Sequence, residues 1–134
     1  MSRGGPVACN GGYILVVDDD AAIRAAITEI LVGDYGHNIK TASDGREALD
    51  VLGGGPPPSL VLVDLMMPRM DGAAFIARTK VQPALSGVPF CLMTASGRWD
   101  PEVTRLASML ARDFPVLRKP FELAELMSVV ERYC

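Results

Sequence analysis

Six residues of this chain could do chemistry together. Asp18, Asp19 and Asp20 close the apolar run Tyr13-Ile14-Leu15-Val16-Val17, and Asp64 closes Leu60-Val61-Leu62-Val63. Thr94 follows the run Val88 to Met93, and Lys119 comes shortly after Pro115 to Leu117. Carboxylates a few Å apart repel, and their pKa values rise unless a cation sits among them. Lys119 brings one positive charge, too little for such a group. Hard, anionic oxygen donors call for Mg²⁺ with waters completing its octahedron. Zn²⁺ would want His or Cys, and neither accompanies the cluster. A metal-bound carboxylate facing a hydroxyl and an ammonium suits phosphoryl transfer, in which positioning and charge neutralisation do most of the catalysis. Aspartate is a covalent acceptor of phosphoryl groups elsewhere. In this reading Asp64 is the nucleophile, Lys119 neutralises a phosphoryl oxygen, and Thr94 hydrogen-bonds the group. The turn Met66-Met67-Pro68 would aim a backbone carbonyl at the metal.

Those groups meet only if the strand ends lie side by side. Tyr13 to Val17 reads as a strand buried on both faces. Ile23, Ile27, Ile30 and Leu31 recur at helical spacing; Asp20 stands at the N-cap and Gly33 closes the helix. Asn38 to Ala42 is a more polar strand, toward an edge. Ser43-Asp44-Gly45 opens a helix through Ala48, Leu49 and Leu52, and Gly53 to Pro58 is a loop. After the strand Leu60 to Val63, a helix follows Asp71-Gly72 through Phe75 and Ile76. Val88 to Met93 is the fourth strand, and Val103, Leu106, Ala107 and Leu110 mark a fourth helix begun by Asp100-Pro101. Pro115 to Leu117 is a short fifth strand, and a last helix turns Leu123, Leu126, Met127 and Val130 inward. Strict strand–helix alternation implies a parallel sheet covered by helices on both faces, an α/β doubly wound (βα)5 three-layer sandwich. Sites in such folds lie beyond the carboxyl ends of the strands.

The 134 residues suit one domain, with a flexible tail over 1–12 and a folded unit over 13–134. A net charge of −3 argues against nucleic acid as a partner. No apolar run reaches the roughly 18 residues of a membrane span, and the Gly-rich start has no signal-peptide core. Cys9, Cys91 and Cys134 are odd in number and lack CxxC spacing, which fits a reducing cytoplasm. Cys91 reads as a small core residue. His37 reads as an exposed loop residue, not a phosphodonor. Met66, Met67, Met70 and Met93 read as packing around the cluster, and Trp99 as a partner contact or a cover for the fourth helix.

The segments ILVVDDD, DLMMPRMDG, MTAS and RKPF, in that order, resemble the receiver domain of two-component response regulators over about residues 13 to 133. The chain looks like the single-domain chemotaxis and phosphorelay type. The resemblance implies a flavodoxin-like fold with sheet order 2-1-3-4-5. It implies that Asp64 takes a phosphoryl group from a histidine kinase or phosphotransfer protein, with Mg²⁺ (or Mn²⁺ in its place), and that phosphorylation shifts the conformation. Asp19, Asp64 and the main-chain oxygen of Met66 would ligate the metal, and Asp18 would act through water. Thr94, Ala95 and Lys119 would bind the phosphoryl group, and Pro120 would follow a cis peptide bond. Beyond phosphoryl acceptance and autodephosphorylation, no separate substrate turnover is expected, so the chain is not read as an enzyme.

One position departs from the family pattern, and two more bear on phosphoryl lifetime. Val116 stands where an aromatic switch residue is common, with Phe114 two residues back, so the usual turning ring is absent. Met66 and Ser96 occupy the positions that tune phosphoryl lifetime, and an apolar Met66 would slow autodephosphorylation. The output partner is expected to be a protein, met by the fourth helix, fifth strand and fifth helix, with Met109 and Arg112 as exposed contacts. No DNA-binding extension follows Cys134, so output is expected from the receiver surface or a larger parent. Neither nucleic acid nor membrane is expected as a partner; the chain reads as a monomer, with dimerisation on phosphorylation left open. The alternative is a phosphorelay intermediate or a receiver from a hybrid histidine kinase, docking through the alanine-rich first helix (Ala21, Ala22, Ala25, Ala26). A small Asp-nucleophile phosphohydrolase of the haloacid dehalogenase type fits poorly, because Ala22 replaces its usual helix-starting polar group and its late acidic pair is missing. A degenerate receiver conflicts with the intact key positions, and a Walker-type nucleotide binder lacks its GxxxxGK[ST].

Overall fold

The computed structural model describes residues 12–34, 36–67, 72–95, 105, 108–109 and 112–133, with the backbone alone at Asp34 and Ala95. The expected tail up to residue 11, Met70 and the Asp71 turn, Ser96, Trp99 and the Asp100-Pro101 helix start lie outside the described residues. So do Val103, Leu106, Ala107 and Leu110 of the expected fourth helix, whose Arg105, Ser108 and Met109 are helical.

Five short strands, β1 (Ile14–Val17), β2 (Ile39–Ala42), β3 (Leu60–Asp64), β4 (Phe90–Ala95) and β5 (Val116–Lys119), form one sheet in the order β2-β1-β3-β4-β5. All four pairings are parallel. Between them run α1 (Ala21–Thr28), α2 (Gly45–Gly53) and α3 (Gly72–Lys80), and a last helix (Leu123–Tyr133) follows β5. This is the doubly wound sandwich that the alternation implies, in the order that the family resemblance implies.

Strand periodicity divides the core into two layers. Leu15, Val17, Val61, Val63 and Leu92 face one side with Leu52 of α2 and Phe75 and Ile76 of α3. Ile14, Val16, Leu62, Cys91 and Met93 face the other, where Ile27 of α1 and Leu126 of the last helix cover them. Every residue of β1 and β3 is buried, so these strands are central. Burying each such Leu, Ile or Val contributes about 1.5–3 kcal/mol. In β2, Lys40 and Thr41 are exposed, as an edge strand allows.

Local signals fix the helix starts. Asp20 caps α1 by accepting from the Ala22 N–H at 2.9 Å. At α2 the Asp44 carboxylate accepts from the Glu47 N–H at 2.9 Å, and the Glu47 carboxylate reaches back to accept from the Ser43 N–H, one residue before the cap. Gly72 starts α3 against the end of β3. A Cβ there would overlap the Asp64 carbonyl oxygen and lie 2.9 Å from Leu65 Cα, so only glycine permits that approach.

Three expectations need correction. The strands run further than their apolar residues: Thr94 and Lys119 lie inside β4 and β5, because the ladder continues through Thr94↔Arg118 and Ala95↔Lys119. The first helix is α-helical only to Thr28. Glu29–Asp34 is a π-helix, and the left-handed residue beyond it is Gly36 (φ 71°), not Gly33. His37 is buried at 4% exposure, not exposed. Its backbone N–H donates to the Leu31 carbonyl at 2.9 Å, which ties it to the π-helical segment. Burial lowers its pKa from the ordinary 6.5.

Candidate functional site

Asp18 sits one residue beyond β1 and is fully buried. Its Oδ1 accepts from the Asp20 N–H at 2.9 Å, and its Oδ2 lies 2.5 Å from Lys119 Nζ. Arg24 Nη1 donates to its main-chain oxygen at 2.7 Å. Asp64, the last residue of β3, is 5% exposed. The Met66 N–H donates to Asp64 Oδ1 at 2.9 Å, and Lys119 Nζ reaches Asp64 Oδ2 at 3.0 Å. Asp19 is exposed. One carboxylate oxygen from each of Asp18, Asp19 and Asp64 lies within 4.8 Å of the others. The sheet order explains the meeting: β1 and β3 are neighbours, and β5 brings Lys119 from across β4.

The electrostatics follow from burial. Desolvation raises the Asp64 pKa above its ordinary 3.8, against the lowering pull of the Met66 N–H and Lys119. For Lys119, burial works against the ammonium, but the carboxylates of Asp18 and Asp64 outweigh it and leave its pKa above 10.5. The lysine is therefore charged at neutral pH and offsets part of the acidic cluster.

The donor set is oxygen only, anionic and open to solvent at Asp19, which fits Mg²⁺ or Mn²⁺ and not a soft metal. Both oxygens of Asp18 and both of Asp64 hold protein partners, so exposed Asp19 offers the carboxylate most open to an incoming ion. Thr94 is half-buried in β4, one residue past Met93, which pairs with Asp64. Ala95 pairs with Lys119. The Lys119–Pro120 peptide is cis. Met66 stands exposed two residues after Asp64, and Met67 and Met93 are buried. Asp20 is committed to its helix cap. Val116 is half-buried, and Phe114 packs edge-on against Phe90, ring centroids 5.4 Å apart, beneath the Lys80 ammonium. Phe90 begins β4, so that aromatic group lies at the opposite end of the sheet from Lys119. Sequence reading missed Arg24. Its signal was a cation at the fourth position of α1, near the positive end of the helix dipole, where an acidic residue is the usual choice.

Fold and cluster together define a class: a flavodoxin-like α/β domain with an acidic crevice and a lysine at the carboxyl ends of its strands. The chain belongs to the response regulator receiver domain family, whose model matches residues 14–131. It is 37% identical over 115 residues to Response regulator MprA of Mycolicibacterium vanbaalenii, covering 86% of this chain and 47% of that one. The chain thus spans about half the length of the curated relatives it matches. Among solved structures it resembles the signal receiver domain of a signal transduction histidine kinase from Syntrophus aciditrophicus, with a TM-score of 0.80 and 31% identity over 92% of this chain and 89% of that one. It also resembles chemotaxis protein CheY4 of Vibrio cholerae, with a TM-score of 0.77 and 27% identity over 92% and 98% of the two chains. Among the described residues no helix is long and apolar enough to cross a membrane.

Proposed function

We propose that this receiver, taken as residues 13–134, accepts a phosphoryl group on Asp64 from the phosphohistidine of a histidine kinase or phosphotransfer protein and signals to a downstream protein. The observation that carries the reading is the buried Asp64 carboxylate joined through Lys119 to Asp18, with exposed Asp19 alongside. An Asp64 oxygen attacks phosphorus while the P–N bond breaks, and the imidazole leaves with the bonding pair and takes a proton. Lys119 holds a positive charge 3.0 Å from Asp64 Oδ2, where phosphoryl oxygens arrive. The Thr94 hydroxyl and the Ala95 N–H are the further donors. Asp19, Asp64 and the Met66 main-chain oxygen would hold Mg²⁺, with Asp18 acting through water. When bound, Mg²⁺ supplies neutralising charge to the phosphoryl oxygens. Low dielectric around Asp64 strengthens each of these charges.

Met66, exposed beside the acceptor, would shield the acyl phosphate from water, so autodephosphorylation is slow. A phosphoryl half-life of seconds would overturn that point. The reading implies a cytoplasmic chain whose partners are proteins, without nucleic acid or membrane.

The phosphorelay or hybrid-kinase variant has an observation of its own. An apolar groove of about 450 Å³ runs between α1 and the last helix, lined by Ile23, Ala26, Ile30, Phe121 and Leu123, and it ends at Lys119. A helical phosphodonor seated there would present its histidine toward Asp64.

Intact-mass analysis after incubation with a small acyl phosphate and Mg²⁺ tests the core proposal. One added phosphoryl group is expected, absent without Mg²⁺ and absent in Asp64→Asn. An adduct retained in Asp64→Asn would name the wrong nucleophile.

A further inference from the structure

We infer that Arg24 is a positioning residue for the cation site: its guanidinium fixes the Asp18–Asp19 peptide and so aims the Asp19 carboxylate at Asp64. The inference rests on the proposed reading of Asp18, Asp19 and Asp64 as that site.

Asp19 has an exposed side chain and lies between β1 and α1. The last sheet bond before it is the Asp18 N–H to the Ala42 oxygen, at 3.1 Å. Two peptide groups flank Asp19. The carbonyl of the first is Asp18 O, held by Arg24 Nη1 at 2.7 Å. The N–H of the second belongs to Asp20 and is held by Asp18 Oδ1 at 2.9 Å. With both flanking planes fixed, the φ and ψ of Asp19 are fixed too. An exposed side chain that would otherwise sample many directions then starts from one backbone geometry, with a carboxylate oxygen within 4.8 Å of its neighbours'. Without Arg24 only the second plane stays tied.

The position of Arg24 sharpens the argument. It is the fourth residue of α1, where the helix dipole disfavours a cation, and its charge also opposes a metal ion nearby. Charge alone therefore predicts that losing Arg24 tightens cation binding. Positioning predicts the reverse. A purely structural tie between helix and strand predicts a lower melting temperature with unchanged affinity of the folded protein.

Calorimetric titration of Mg²⁺ into the full chain separates these, beside thermal melts, for wild type, Arg24→Ala and Arg24→Gln. Arg24→Ala is expected to raise the dissociation constant about tenfold, the lower end of what removing an outer-shell partner of a ligand costs. Arg24→Gln keeps an N–H donor without the charge and is expected to recover most of that loss. If Arg24→Ala does not fold, Arg24→Met, which keeps the apolar stem, takes its place. Unchanged or tighter binding in the donor-less variant overturns the inference while the site reading stands. A wild type that binds no Mg²⁺ sinks the site reading, and the inference with it.

Discussion

Asp64 and Lys119 respond to burial in opposite ways, and the difference is measurable. Between 3.8 and its raised native value, the folded state keeps an Asp64 proton that the unfolded chain has lost. Stability therefore falls as pH rises across that window, and the deficit persists above it. Asp64→Asn removes the ionisable group. In metal-free buffer at neutral pH it is expected to melt at a higher temperature than wild type, and the gap is expected to close as pH falls toward 3.8. A lower melting temperature for the variant would mean the Lys119 contact outweighs desolvation. Cys91 gives a second test. Burial pushes its thiol up to about 12, so almost no thiolate forms at pH 8. Peptide mapping after an alkylation pulse on the folded protein is expected to leave Cys91 unmodified, with full reaction in urea. At this scale Asp18, Asp19, Asp64 and Lys119 were legible because each follows or nearly follows an apolar run, and strand ends converge in a doubly wound sheet. Arg24 was not, because the backward reach of a long side chain leaves no trace in spacing. His37 misled because Gly36 beside it signals a loop, whereas its backbone is bonded to Leu31 and the residue is buried.

Elements carry the site through their ends. Gly72 lets α3 begin in contact with the Asp64 backbone, so Gly72→Ala must displace one of them. It is expected to cost about 1–3 kcal/mol, as overpacking does, and to slow phosphoryl acceptance beyond what the stability loss explains. Urea unfolding and the phosphorylation rate of the folded fraction would check the two parts. Equal rates in the variant and wild type would show that α3 yields and β3 does not. The start of α2 was visible in Ser43-Asp44-Gly45, since capping depends on residue type at fixed offsets. Strand ends were misjudged for the opposite reason: polar residues such as Thr94 extend a ladder without extending its hydrophobic pattern. The π-helix over Glu29–Asp34 was also hidden, because Ile27 and Leu31 face the core at ordinary α spacing.

For the whole molecule, order of elements was the most legible feature, since alternation leaves few ways to wind a parallel sheet. Buried His37 and Tyr13 and half-buried Lys119 then shape its stability above the Asp64 window. Below 6.5 the unfolded chain protonates His37 before the folded one does, so stability is lost as pH falls through that region. Above 10.0 the unfolded chain ionises Tyr13 first, because burial raises the native value, and stability is lost as pH rises. Lys119 adds to that alkaline loss: its contribution is complete below 10.5 and disappears as pH climbs through its higher native value. Urea midpoints across pH are expected to form a plateau between these limits, with the acidic shoulder reduced in His37→Gln. The sheet has two outer strands, and both carry cations: exposed Lys40 on β2 and exposed Arg118 on β5. An approaching copy that offered its own border strand would meet like charge where it needs close backbone contact. Crowded storage is thus tolerated by design of the rim, and Lys40→Val with Arg118→Val is expected to raise light scattering in concentrated solution before it changes the melting temperature.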